Sequence, residues 1–162
     1  MDDRELSVVN YEKDLGVWIS ADIKCSKQST YACNKATKVL GMIKRTIRFK
    51  DTRVMLSLYK SLVRPRVEYC ISAWNPHYKK DKEIIEKVQR RFTKMINNME
   101  GKSYEERLYC LKLWTLEEQR NRQDLIEIFK MCNGLWRLKL NEFFYPSNST
   151  QLNSTSMYGR RC

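Results

Sequence analysis

The apolar positions between Asp51 and Pro76 predict a long helix on which the rest of the chain is organised. Apolar residues recur at steps of three or four, at Leu56, Tyr59, Val63, Val67, Cys70 and Trp74. This spacing places them on one face of an α-helix of about six turns. Asp51 or Thr52 can cap the helix, because either side chain accepts a bond from a free amide of the first turn.

Pro65 interrupts this helix. Proline cannot donate a hydrogen bond to the preceding turn, so we expect a kink near Leu62–Arg64. Pro76 ends the element, since a residue before proline is pushed out of the α region. The predicted structural core of the helix consists of Leu56, Tyr59, Val63, Pro65, Tyr69 and Trp74.

Two amphipathic segments flank the central helix. Ser26 is the expected N-cap of a helix that runs to about Ile47. Asp81 is the expected cap of a helix over residues 82–98, whose apolar and basic faces are sharply separated. Their predicted inner faces are, in chain order, Ala32, Ala36, Val39, Leu40, Ile43 and Ile47, and then Ile84, Ile85, Val88, Phe92, Met95 and Ile96.

Two capping boxes predict two more helices. Ser103 with Glu106 begins a short helix through about Leu111, and Thr115 with Glu118 begins a longer one to about Cys132. Gly134 stands where a C-terminal cap is needed. The predicted inner face of the longer helix is Leu125, Ile128, Phe129 and Cys132.

The N-terminal residues have β-type patterns instead. Residues 5–11 and Leu15–Ile19 read as two short strands separated by the polar Glu12–Asp14. The predicted fold is therefore mainly α, a bundle of about five helices preceded by a short β-hairpin. The expected organisation is a hairpin over 1–24, a helical domain over 25–140 and a disordered polar tail over 141–162.

The positive charge of the chain is concentrated in one segment. The whole sequence carries 31 Lys and Arg against 19 Asp and Glu, a net +12. Residues 25–66 contain eleven of these basic groups and a single acidic one, Asp51, which gives +10. Such an excess is typical of a polyanion-binding surface. The alternative interpretation is an ordinary solvated surface that uses lysine for solubility.

Helical spacing arranges many of these basic residues in rows. One row lies on the helix that begins at Ser26, one on the central helix and one on the helix over 82–98. The candidate nucleic-acid-binding residues are Lys27, Lys38, Arg45, Lys60, Arg64, Arg66, Lys87, Arg90, Arg91 and Lys94.

The sequence shows no catalytic constellation. Its one histidine, His77, follows a proline and has no evident Ser or Cys partner, and the five glycines stand singly instead of forming a phosphate-binding loop. The six cysteines lack a C-x-x-C pair, so we interpret them as small core residues in a reducing compartment. With no stretch of about 20 apolar residues, we expect an intracellular protein without a membrane span.

An ordered series of sequence blocks closely resembles the C-terminal part of LINE-type reverse transcriptases. These are the RNA-directed DNA polymerases of non-long-terminal-repeat retrotransposons, and the similarity is greatest to jockey-like elements. It covers roughly residues 5–135. The blocks are Glu12–Val17, Leu58–Pro65, Glu68–Tyr69, Ala73–Pro76, Glu86–Arg91, Ser103–Leu108, Asp124–Ile126 and Phe129–Lys130.

The resemblance implies a thumb-like helical bundle that holds template–primer duplex. In that family the D-L-G-V segment, here Asp14–Val17, lies on strands at the boundary between palm and thumb. The catalytic carboxylates lie upstream in the palm, which has no counterpart in this sequence. The resemblance thus implies an RNA–DNA or DNA duplex as partner, together with the palm and fingers of the polymerase. It implies no catalysis by this chain alone, and Mg²⁺ only in the palm.

Two other interpretations remain open. The chain could be a protein-interaction module, in which the hairpin edge and an apolar helix face bind another protein. It could also be a relic of a transposable element with no selected role.

Overall fold

A computed structural model describes residues 8–135. Strands β1, Tyr11–Asp14, and β2, Val17–Ser20, pair antiparallel with Asp14 opposite Val17. The turn is therefore the two residues Leu15 and Gly16, both with positive φ. The predicted break at Glu12–Asp14 is wrong, because those residues form β1. Positive φ at both central positions is the requirement of a type I′ turn, and Gly16 meets it at little cost.

Helix α1, Ser26–Thr46, packs along helix α5, Lys79–Thr93. Neither predicted cap acts as one. Ser26 is the first helical residue, and its hydroxyl donates instead to a carboxylate oxygen of Asp81 at 2.6 Å. Asp81 is buried in the first turn of α5, where the helix dipole favours a carboxylate. Both side chains are used to join the two helices at their N-terminal ends.

The central element is interrupted at the predicted place. Helix α2, Thr52–Leu58, runs into a π-helical turn, Tyr59–Val63, and then into α3, Arg64–Glu68. The wider turn ends two residues before Pro65, whose ring would clash with a carbonyl of a regular α-helical turn. Asp51 caps α2, because its side chain accepts bonds from two backbone amides of the first turn.

The central helix, which was predicted to continue to Pro76, instead ends with α3 at Glu68. Cys70 adopts a left-handed conformation with φ of 55°, and a separate short helix, α4, covers Ile71–Trp74. This break changes the direction of the apolar face. Tyr69 is 54% exposed, and Pro65 is exposed as well, so both are wrong as core positions. Tyr59, Val63 and Trp74 are buried, and Leu56 is half-buried.

Both predicted capping boxes form. Ser103 and Glu106 exchange hydrogen bonds at the start of α6, Tyr104–Leu111. Thr115 and Glu118 do the same before α7, Leu116–Cys132.

The end of α7 agrees with the predicted cap but not with the predicted inner face. Gly134 has φ of 65°, and the amide of Leu135 donates to the carbonyl of Lys130, as expected of a left-handed C-cap. Leu125, Ile128 and Phe129, together with Cys132, are exposed. The chain divides at this helix into two compact units, one ending at Leu125 and the other beginning at Ile126.

A stacked aromatic pair occupies the centre of the core. The rings of Tyr59 and Phe92 lie 4.1 Å apart and nearly parallel. The hydroxyl of Tyr59 donates to buried Gln89, whose amide donates to the carbonyl of Trp114 at 2.7 Å. Burial strongly raises the pKa of Tyr59, so this hydroxyl stays protonated as a donor.

A second buried polar side chain joins α7 to the central element. Arg120 donates to the carbonyl of Val67 at 2.9 Å, and its guanidinium lies over the ring of Trp74. Desolvation lowers the pKa of Arg120 below its ordinary value. No sequence pattern had singled out this residue.

The predicted fold class is confirmed: the protein is mainly α-helical and begins with a two-stranded antiparallel hairpin. Within residues 8–135, no helix is both long and apolar enough to cross a membrane. The predicted tail over 141–162 lies outside the described residues.

Candidate nucleic-acid interface

Helix α5 presents the most complete row of cations. Lys87, Arg90, Arg91 and Lys94 are all exposed. The row lies opposite the face formed by Ile85, Val88 and Phe92, so core packing fixes the direction of these side chains. Arg90 also lies over the ring of Tyr104 at 5.0 Å. This contact limits the motion of one guanidinium while leaving it exposed.

Helix α1 presents a shorter row than the sequence predicts. Lys38 and Arg45 are exposed, as expected. The ammonium group of Lys27 instead lies 3.9 Å from the ring centre of Tyr11 and 3.8 Å from that of Trp18. Cation–π contacts of this kind favour keeping Lys27 against the hairpin. In the structure, Lys27 therefore joins α1 to the hairpin.

The three cations of the central element differ in their surroundings. Lys60 and Arg66 are exposed. Arg64 donates to the carboxylate of Glu68 at 2.6 Å, and both side chains are largely buried. The carboxylate of Glu68 already neutralises much of the charge of Arg64, which weakens the attraction of Arg64 for a phosphate. Arg64 therefore stabilises the helix more than it contributes to a binding surface.

The rows on α1 and α5 are not one continuous stripe. The packed faces of the two helices meet where the thiol of Cys33 approaches the carbonyl of Ile84. Arg91 follows Ile84 by seven residues, so it lies on the same side of α5, about two turns further along the helix. Lys38 and Arg45 lie on the side of α1 turned away from this contact. The cations therefore cover two neighbouring surfaces instead of a single line.

A groove beside the hairpin gathers further basic groups. It has a volume of about 440 Å³ and lies between the turn of the hairpin, α1 and α3. Lys35 and Arg66 line it, and none of its described lining residues is a carboxylate. The phenol of Tyr31 accepts a bond from Lys13 at 3.1 Å, and the ammonium of Lys35 lies over its ring.

The two ammonium groups change the acidity of Tyr31. Hydrogen bonds from Lys35 and Lys13 lower its pKa to about 8, because they stabilise the phenolate. The sequence analysis included Arg66 but missed Lys13, Tyr31 and Lys35. The spacing of Tyr31 and Lys35, one helical turn apart, could have indicated their contact. Nothing in the sequence indicated that Lys13 would reach them from the hairpin.

Glu86 on α5 is a half-buried carboxyl. Burial raises its pKa, although hydrogen bonds from the hydroxyl of Tyr104 and the amide of Leu116 oppose the shift. Both its oxygens therefore have structural donors that join α5 to α6 and α7. Within residues 8–135, no group of three or more His, Cys, Asp or Glu side chains is placed to hold a metal ion.

A comparison with known proteins finds a similarity to a nematode protein. The chain is 22% identical over 156 residues to an uncharacterized protein of Caenorhabditis elegans, and the match covers 94% of this chain and 75% of the nematode protein. No protein-family model matches the chain. No solved structure matches it either.

Proposed function

We propose that this chain binds nucleic-acid duplex through the phosphate backbone without reading base sequence, as the thumb of a LINE-type reverse transcriptase does. The observation that carries the proposal is the net +10 of residues 25–66, continued by the exposed row Lys87, Arg90, Arg91 and Lys94 on α5. Lysine and arginine on helix surfaces make the phosphate contacts that position a protein on a duplex.

The order of elements supports this proposal. A duplex-holding surface needs cations on rigid supports, and α1 and α5 fix theirs through a shared core. The hairpin followed by helices is also the order that the resembling sequence blocks imply. In this proposal the chain has no polymerase activity of its own. The palm would supply the catalytic carboxylates and bind Mg²⁺.

The salt dependence of binding tests the proposal. Fluorescence anisotropy with an RNA–DNA duplex should give a log–log plot of affinity against salt with a slope of about −4. This slope corresponds to four or five phosphate contacts at about −0.9 each. Duplexes of unrelated sequence should bind with equal affinity. A slope near zero would contradict phosphate binding.

Charge reversal locates the surface. The double variant Arg90→Glu/Arg91→Glu should bind every duplex more weakly and give a shallower slope, because it removes two phosphate contacts. The matched control is Lys102→Glu/Lys112→Glu, which makes the same change in net charge at exposed positions flanking α6. Equal losses in both variants would mean that net charge alone matters. Circular dichroism must show that each variant is folded.

A protein-interaction module is the second candidate. Leu15, Ile19 and Ile23 are exposed large apolar side chains on or beside the hairpin. Exposed strands with apolar side chains are a common site of pairing with another chain. Self-association that persists at high salt, without affinity for duplex, would favour this candidate over the first.

A further inference from the structure

The groove beside the hairpin is lined by both apolar and cationic side chains. Leu62, Pro65 and Tyr69 supply exposed apolar and aromatic surface, and Lys35 and Arg66 supply positive charge. The hydroxyl of Tyr69 donates to the carbonyl of Leu15 at 2.9 Å. This bond fixes the aromatic ring beside the hairpin turn. The groove thus places apolar surface and positive charge in one pocket.

Lys35, one of the two cations of the groove, lies against a neutral aromatic neighbour. Lys35 lies 4.5 Å from the ring centre of Tyr31, whose phenol also accepts the hydrogen bond from Lys13. No acidic side chain is among the described residues that line the groove. Their charge is therefore available to an anionic ligand.

We propose that this groove binds one unpaired nucleotide of a nucleic-acid strand. The phosphate would lie against Lys35 and Arg66, and the base against Leu62, Pro65 and the ring of Tyr69. Proteins hold single strands by this combination of a positive groove and a surface for base stacking. The volume of about 440 Å³ is within the range of small-ligand pockets.

The inference rests on the proposed function but adds to it. A surface that only holds duplex phosphates needs no apolar wall, because paired bases are stacked inside the helix. An aromatic and apolar wall next to two cations suits a base that has left the stack. The groove would bind the strand where a duplex ends and its unpaired extension begins.

Two substrates separate this inference from the proposed function. One is a blunt RNA–DNA duplex, and the other is the same duplex with about four unpaired nucleotides at the 5′ end of the template. Fluorescence anisotropy at one salt concentration measures both affinities. We expect the protein to bind the extended substrate at least about fivefold more tightly, since base stacking on a protein ring commonly contributes that much.

Substitutions in the groove should remove this preference. Lys35→Ala/Arg66→Ala should bring the two affinities close together. Its matched control, Lys44→Ala/Arg53→Ala, removes two exposed cations that do not line the groove. The control should weaken binding to both substrates alike and keep their ratio. Tyr69→Leu tests the apolar wall, and the cation variant remains decisive if loss of the Tyr69 bond prevents folding.

Each outcome has a separate meaning. Equal affinity of the protein for the two substrates would overturn the inference and leave the proposed function standing. Failure to bind either substrate would overturn both. A preference that survives Lys35→Ala/Arg66→Ala would also overturn the inference, because the overhang would then be bound elsewhere.

Discussion

At the scale of single residues, burial and neighbouring charge decide what the polar side chains do. Lys27 and Arg64 read from the sequence as free cations, yet one lies over aromatic rings and the other pairs with a carboxylate. No sequence pattern predicted that Gln89 and Arg120 would be buried, yet both are buried and bonded to backbone carbonyls. A buried polar group is stable only with such partners. A sequence pattern does not reveal them.

Tyr31 should titrate at an unusually low pH. The difference in near-ultraviolet phenolate absorbance between the wild type and Tyr31→Phe should have its midpoint near pH 8, compared with about 10 for an unperturbed tyrosine. Lysine cations favour the phenolate, so Lys35→Ala should move the midpoint upward. Lys44→Ala is the control and should leave it unchanged. A midpoint near 10 in the wild type would mean that the lysines do not hold the phenol in solution.

At the scale of elements, local rules located most helix ends but not the breaks inside the central helix. Asp51, both capping boxes and Gly134 act as predicted, because each depends on residues within one turn. Pro65 likewise marks the π-helical turn. The left-handed Cys70 has no such local signal. It redirects the chain so that Ile71 and Trp74 reach the core.

The hairpin turn offers a stabilising substitution. Leu15 has φ of 45° and is 84% exposed, so the turn holds a leucine in a conformation that asparagine adopts more readily. Leu15→Asn should stabilise the hairpin by about 1 kcal/mol. Slower amide hydrogen exchange in β2 is the measurement.

Leu15→Ala is the control for this prediction. Alanine removes the exposed leucine side chain but keeps the cost of a left-handed residue. If Leu15→Ala slows exchange as much as Leu15→Asn does, the gain comes from removing apolar surface and not from the turn.

At the scale of the whole molecule, the net charge of +12 acts on folding as well as on binding. Like charges repel in the compact state, and the repulsion is screened by salt. Four ion pairs are present among the described residues, at Asp22–Lys24, Arg64–Glu68, Lys82–Glu117 and Glu127–Lys130. The three pairs other than Arg64–Glu68 are more exposed, and exposed pairs contribute little stability. We therefore expect repulsion to dominate the response to salt.

The melting temperature should rise with salt. Between about 0.1 and 1 M sodium chloride we expect a rise of about 2–4 °C, which corresponds to roughly 1 kcal/mol for a chain of this size. Lys102→Glu/Lys112→Glu lowers the net charge from +12 to +8 and should show a smaller rise. A melting temperature that falls with salt would mean that attractive pairs outweigh the repulsion.

The sequence by itself determined the helical class, the hairpin, most caps and the faces of α1 and α5. These features depend on periodicity and on contacts within one turn, and both follow from residues that are close together in the sequence. Tertiary structure alone decided the burial of Gln89 and Arg120 and the bond between Ser26 and Asp81. It also brought Lys13, Lys35 and Arg66 around one groove. Such groupings join residues far apart in sequence, and their geometry exists only once the hairpin and helices have packed.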